Sequence, residues 1–211
     1  MFTGIINDMG VIQKKEHTGT EVLLTIQAPH LIAKLKHGDS IAVNGVCLTV
    51  DTLFANAFKA VAIPETVERT NLGSLRVSSR VNLELPLSVA GRFDGHFVSG
   101  HVDGIGTVIK KAQTAKGMTL SILFPPTLAK YFALKGSIAV NGVSLTIMEL
   151  TDDYFSVGLI PITEKETNLG LLHENDIVNL EVDLIARYLE RLLRGKTEQT
   201  SYEWLKERNF I

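Results

Sequence analysis

A chain of 211 residues with 45% hydrophobic and 21% charged residues can bury a core and remain soluble, and a formal net charge of −2 offers no basic face for nucleic acid. Its single cysteine, Cys47, rules out an intramolecular disulfide and any multi-cysteine metal cluster, and its six histidines show no metal-ligand spacing. Met1 to Gly10 has no basic stretch leading into an apolar one, and no apolar run is long enough to span a bilayer, so the expectation is a cytoplasmic protein with no metal and no membrane partner.

Val11 and Ile12, then Val22 to Ile26, flank a polar turn at Gly19 and predict a strand, a loop and a strand. Pro29 to Lys36 has a short helical period closed by Gly38. Ile41 to Val43 and Val46 to Val50 enclose Asn44-Gly45, a pair that tolerates positive φ at both turn positions and is the strongest short-range hairpin signal. Past that turn, Val46, Leu48 and Val50 point to one face, and Cys47 and Thr49 to the other. After a turn at Asn56, Phe58 to Ile63 is a strand stopped by Pro64, Thr66 to Gly73 a short helix or turn, and Val81 to Leu85 a last strand. Leu87 to Phe97 has two glycines and no period, and reads as a linker.

The order then repeats. Strands are predicted at Thr107 to Ile109, Leu120 to Phe124, Ile138 to Ile147 (a hairpin), Phe155 to Ile160 and Val178 to Val182, with a helical turn over Pro126 to Leu134 stopped by Gly136. VNGVCLT at Val43 to Thr49 matches VNGVSLT at Val140 to Thr146, at an offset of 97 residues. The same offset aligns ERTNLG with KETNLG, VNLE at Val81 with VNLE at Val178, and Pro64 with Pro161. A repeat of this length is a whole domain, and short strands at regular spacing make each one a small antiparallel barrel. Ser144 and Thr146 take the places of Cys47 and Thr49, so each copy aims a small thiol or hydroxyl pair the same way; taken alone, such side chains are commonest inside a barrel.

From Leu184 the pattern changes. Leu184, Ile185, Tyr188, Leu189, Leu192 and Leu193 recur at helical spacing with no counterpart in the first copy, which fits equally a helix lying on its own barrel or one used for oligomerisation. Ser201 to Phe210, with Ser201 as cap, adds a further helical turn or two. The expected fold is all-β: two tandem six-stranded antiparallel Greek-key barrels, residues 1–94 and 95–183, with a C-terminal helical oligomerisation segment, 184–211.

MFTGI at the start, the NGVCLT and NGVSLT pair, PET at Pro64 to Thr66 with TNLG, and GHFVSGHVDG at Gly95 to Gly104 together resemble riboflavin synthase of the kind built from two lumazine-binding domains. The resemblance runs from Met1 to about Leu193. It implies a cofactor-independent dismutation: two molecules of 6,7-dimethyl-8-ribityllumazine give riboflavin and 5-amino-6-ribitylamino-uracil, the last step of riboflavin formation. It further implies a homotrimer in which the first domain of one subunit meets the second domain of its neighbour, and makes a lumazine synthase a candidate partner.

By the same resemblance, the first lumazine ring is held by Gly4, Ile5 and Ile6, by Cys47, Leu48 and Thr49, and by Val61, Ala62, Ile63, Pro64, Glu65 and Thr66. The second is held by Gly100, His101 and Val102, by Ser144, Leu145 and Thr146, and by Gly158, Leu159, Ile160, Pro161, Ile162 and Thr163, with Lys135 supplied across a subunit boundary. Two identical substrates need similar pockets, yet one donates a four-carbon unit and the other accepts it, so roles should lie where the copies differ. The common offset sets Cys47 against Ser144, Phe2 against Ser99, Gly4 against His101, Glu65 against Ile162 and Pro86 against Asp183. Ile162 departs from the family's usual glutamate. A polar contact worth about 1 kcal/mol is lost there if its partner stays unsatisfied, with Glu164 and Glu166 the nearest replacements.

The reaction asks for a base to take a proton from the 7-methyl group of one lumazine, a nucleophile to add to the other, and alignment of the rings, which can remove about 7 to 11 kcal/mol of barrier. His101 is the natural proton carrier. Cys47, Ser144, Thr146 and Asp183 are the groups that would position or activate a nucleophile, and Phe2 belongs to a segment expected to close over the first pocket. The alternative of another class is a non-catalytic lumazine- or flavin-binding protein of the same fold, but such relatives tend to lose CLT and GHFVSGH, both intact here. A flavin reductase would need a nucleotide-binding fingerprint, and the sequence has no Gly-rich strand-to-helix motif.

Overall fold

The computed structural model describes residues 1–114, 117–199 and 206. Strands β1 (Asp8–Thr18), β2 (Glu21–Gln27), β3 (Ser40–Val43), β4 (Val46–Leu53), β5 (Ala57–Ala62) and β6 (Arg80–Glu84) close into one antiparallel barrel in the order β1-β2-β5-β4-β3-β6. Strands β7 (Gly104–Thr114), β8 (Gly117–Leu123), β9 (Ser137–Val140), β10 (Val143–Leu150), β11 (Tyr154–Leu159) and β12 (Ile177–Val182) close a second in the same cyclic order. Skipping from β2 to β5 and returning through β4 and β3 is Greek-key topology, and closure removes the exposed strand edges. The expected fold class is therefore the observed one.

Alternation builds each core. Val22, Leu24 and Ile26 of β2 and Val46, Leu48 and Val50 of β4 are buried against Ile12, Phe58 and Leu83; in the second barrel Leu120, Ile122, Phe155 and Leu180 do the same work. Register shifts between Ile12 and Lys14 and between Val50 and Thr52 recur between Val108 and Lys110 and between Ile147 and Glu149, bending equivalent strands at equivalent places.

Each barrel carries a short helix after its fifth strand, α1 (Pro64–Arg69) and α2 (Pro161–Glu166), followed by 3-10 turns at Asn71–Gly73 and Asn168–Leu171. The helix starts at Pro64 and not at Thr66, because a first-turn proline lacks only an N–H that would have no helical partner there. The helical turns expected before β3 and β9 are 3-10 segments, Ile32–Lys34 and Pro126–Tyr131.

The repeat offset needs one correction. It is 97 from β3 onward but 96 before it, since β1 and β2 match β7 and β8 at 96 residues and the second copy has one more residue ahead of β9. Phe2 therefore corresponds to Val98, Gly4 to Gly100 and Ile5 to His101; pairing Phe2 with Ser99 and Gly4 with His101 was one residue out of step.

The two barrels meet across a pseudo-twofold seam. Phe2 and Val98 form an antiparallel bridge there, exchanging backbone hydrogen bonds of 2.7 and 3.2 Å. Both Asn-Gly turns have positive φ throughout and touch back to back: a Cβ on Gly45 would lie 2.7 Å from the Gly142 nitrogen, so only glycine fits. Six buried asparagines knit the seam. Asn179 Oδ1 accepts from the Asn71 N–H and Asn82 Oδ1 from the Asn168 N–H, both at 2.7 Å, while the Asn82 and Asn179 amides donate to the carbonyls of Asn141 and Asn44 at 2.9 and 2.8 Å. Paired this fully, buried amides fix a unique geometry where unpaired ones would be costly.

Helix α3 (Leu184–Gln199) settles which face of the predicted C-terminal helix docks. Lys130 reaches Glu190 at 2.7 Å and Arg187 pairs with the buried Asp103, so a polar face lies on the second barrel, while Ile185, Tyr188, Leu189, Leu192 and Leu193 are each more than half exposed. Apart from Lys206, the segment Ser201 to Phe210 lies outside the described residues.

Candidate active site

The outward residues of β4 and β10 are the starting point. Cys47 is half-buried and Thr49 exposed, Ser144 is half-buried and Thr146 exposed, so both pairs face out of their barrels and neither fills an interior.

What covers them comes from the other repeat. The Cys47 N–H donates to the Gly100 carbonyl at 2.9 Å, and the Ser144 N–H donates to the Gly4 carbonyl at 2.8 Å. A Cβ on Gly100 would sit 2.5 Å from Cys47 Cβ, and one on Gly4 2.6 Å from Ser144 Cβ; both glycines also have positive φ, so each close approach demands glycine. Ile6 packs on the second barrel's core and Val102 on the first's. This corrects the expected grouping. The Gly4 to Ile6 segment belongs with Ser144, and Gly100 to Val102 with Cys47, because the Phe2–Val98 bridge at the seam carries each segment beyond its own barrel.

Two carboxylates that sequence reasoning left without a role hold these crossing segments. Glu84 accepts from the Thr3 N–H (2.7 Å), the Thr3 hydroxyl (2.8 Å) and the Gly4 N–H (3.0 Å). Glu181 accepts from the Ser99 N–H and hydroxyl (both 2.6 Å) and the Gly100 N–H (3.1 Å). Burial pushes the Glu84 carboxyl up, opposed by the bonds it accepts from Thr3 and Gly4. The repeated VNLE ends on both residues and was the available signal.

Two cavities result, with no lining residue in common. One, about 190 Å³, is walled by Cys47, Glu65, Thr66 and Arg69 from the first repeat and by Gly100, His101 and Val102. The other, about 430 Å³, is walled by Ser144, Leu145, Thr146, Gly158, Ile160 and Thr163 from the second repeat and by Ile5, Asp94 and Gly95. A cleft of about 420 Å³ behind the asparagine seam contains none of the expected residues.

The remaining expected residues line neither cavity. Phe2 is fully buried at the seam with Ala42, Val98 and Ala139 and with Cys47 packed against it, so it supports Cys47 from behind and is not a lid. Leu48, Ala62 and Leu159 are core; Ile63 and Ile162 are exposed; Thr49, Val61, Pro64 and Pro161 lie outside both linings. Lys135 is exposed in a left-handed conformation beside the second barrel. Asp183 caps α3, accepting from the Ile185 N–H at 2.9 Å.

His96 is the residue that the sequence reading missed. It is only 7% exposed, its Nδ1 lies 2.7 Å from the Ser144 hydroxyl oxygen, and its Nε2 is buried without a partner. Burial pushes its pKa below the ordinary value, and the nearby Asp183 carboxylate partly restores it. The first cavity has no such buried histidine among the described residues. Adjacency to His101 in GHFVSGH was the only hint, and His101 drew the attention.

A family model described as the lumazine binding domain matches residues 3–86 and 99–183, one match per barrel. A riboflavin synthase of Actinobacillus pleuropneumoniae is 41% identical over 215 residues, covering 100% of both chains. The chain belongs to the riboflavin synthase family. A riboflavin synthase of Bacillus amyloliquefaciens is 46% identical, covering 95% of this chain and 93% of its own. Among solved structures, LumP complexed with 6,7-dimethyl-8-(1'-D-ribityl) lumazine superposes with a TM-score of 0.80 at 26% identity, over 86% of this chain and 99% of that one. The crossing segments, the carboxylate anchors and the paired outward triplets are thus features of a riboflavin synthase chain.

Proposed function

We infer that this chain catalyses the dismutation of two 6,7-dimethyl-8-ribityllumazines to riboflavin and 5-amino-6-ribitylamino-uracil. The observation that carries it is the pair of similar but unlike cavities, each assembled from both repeats. One lumazine binds in each, its flat ring against the outward strand backbone and its ribityl chain toward α1 or α2. His101 in the first cavity, and Ser144 held by His96 in the second, are the groups that move protons at the two rings; Cys47 and Thr146 flank them, and Asp183 sets the charge near His96. Burial keeps His96 neutral, so its ring can accept a proton from Ser144 or hold that hydroxyl in one orientation. The rest of the acceleration comes from alignment of the rings.

Alignment requires the two cavities to meet, and within one chain they share no wall. The reading is therefore a homotrimer in which the first cavity of one subunit faces the second cavity of the next, held by the exposed apolar face of α3, with the exposed Lys135 reaching the neighbouring site. The units are residues 1–94, 95–183 and 184–211, the location is cytoplasmic, and a lumazine synthase is a partner worth testing.

Incubating the purified protein with the lumazine alone tests the reaction. Riboflavin fluorescence should rise, with one riboflavin formed per two lumazines consumed and no added cofactor. A protein that binds the lumazine but leaves it unchanged would be a carrier and not the enzyme.

A further inference from the structure

The two anchoring carboxylates stand at equivalent places, Glu84 at the end of β6 in the first barrel and Glu181 near the end of β12 in the second, and both are buried. Each accepts from two backbone N–H groups and a hydroxyl, using both of its oxygens. Only the ionised carboxylate satisfies such a set, because an amide of the same shape would turn an N–H toward another donor.

What hangs on each held segment belongs to the opposite repeat's cavity. The Thr3 carbonyl accepts from the His96 N–H at 3.1 Å and the Gly4 carbonyl from the Ser144 N–H at 2.8 Å, so both members of the His96–Ser144 pair are tied to the two residues that Glu84 holds. On the other side, the Ser99 hydroxyl, which donates to Glu181, accepts from the His101 N–H at 3.2 Å, and the Gly100 carbonyl holds the Cys47 N–H at 2.9 Å. Neither carboxylate lines either cavity, so any effect on the reacting groups passes through these backbone contacts.

We propose that Glu84 and Glu181 are positioning residues that act crosswise: Glu84 of the first barrel fixes the His96–Ser144 pair at the second cavity, and Glu181 of the second barrel fixes His101 and Cys47 at the first. For catalysis this rests on reading those four side chains as the groups that serve the two lumazines. Its consequence is that a repeat on its own keeps its strand wall but lacks the contacts that set its reacting groups.

The test uses the full-length parent, Glu84→Gln and Glu181→Gln, with one probe for each cavity. Cys47 is the chain's single cysteine, so its rate of alkylation by iodoacetamide reports the first cavity, and the ring pKa of His96, followed by NMR, reports the second. In Glu181→Gln, alkylation should speed up about tenfold, the loss of one hydrogen bond to a charged group, with His96 unmoved. In Glu84→Gln, the His96 pKa should rise from its lowered value toward the ordinary one as water reaches the ring, with the Cys47 rate unmoved. Both variants should lose about tenfold or more in kcat while KM for the lumazine stays within about threefold. If either glutamine variant fails to fold, Thr3→Val and Ser99→Ala remove one donor each and should give the same crossed pattern more weakly. Probes that move together in both variants, as general loosening would make them, or that move in neither, overturn the proposal. Crossed probes with parental turnover would overturn the proton-transfer roles given to His101 and the His96–Ser144 pair, and with them the claim on catalysis, while sparing the geometry.

Discussion

Burial dictates what His96 can do. Its ordinary pKa is 6.5 and the folded protein lowers it, so between that value and the lower folded one the unfolded chain binds a proton that the folded chain refuses. Stability from this residue is complete above pH 6.5 and is lost as the pH falls below it. His96→Gln should flatten the fall in unfolding free energy between about pH 7 and 5, where one such proton changes stability by up to about 1.4 kcal/mol per pH unit. Urea unfolding across that range decides it, and an identical slope in both proteins would remove the buried neutral imidazole from the account. Across the other cavity, His101→Ala and Cys47→Ala should leave lumazine binding within about threefold while lowering turnover, since a small group beside a flat ring holds little of it. Turnover at the parental rate under saturating lumazine would withdraw that residue. Individual residues were the least legible scale. Cys47, Ser144 and His101 stood out through repeated motifs, but the partner of Ser144 could not, because a hydrogen bond between residues 48 positions apart leaves no local trace.

Elements were easier to read, since strand alternation and the Asn-Gly turns are local signals. Where the reading slipped, the cause was also local: the extra residue ahead of β9 falls in a stretch with no matching motif, so the single offset was carried too far toward the N-terminus. The crossing of Gly4 and Gly100 to the opposite barrels escaped for a different reason, as exchanged segments satisfy the same spacing as unexchanged ones. Gly100→Ala tests that geometry. The added methyl would meet Cys47 Cβ at 2.5 Å in a left-handed backbone, so the variant should lose about 2 kcal/mol or more, a drop of roughly 4 to 8 °C in melting temperature for a chain this size. An unchanged melting temperature would contradict the packing. For α3, ending the chain after Asp183 should give a species that binds lumazine but sediments mainly as a monomer and is nearly inactive. A monomer with parental specific activity, independent of concentration, would place the complete site within one chain.

At the scale of the molecule, the seam makes two barrels into one body. Its asparagines were visible in the repeated NGV, TNLG and VNL motifs, yet their pairing was not, because each bonds to residues of the other copy. The same pseudo-symmetry leaves each chain with two cavities of different chemistry that share no wall. We therefore propose that catalysis joins the His101 cavity of one protomer to the Ser144 cavity of another. Complementation tests this directly. His101→Ala and Ser144→Ala are each expected to be nearly inactive as pure proteins, and equal amounts refolded together should recover about a quarter of parental riboflavin formation, the share of protomer contacts that random assortment leaves with both cavities intact. A mixture no more active than its components, with trimers present, would contradict the account.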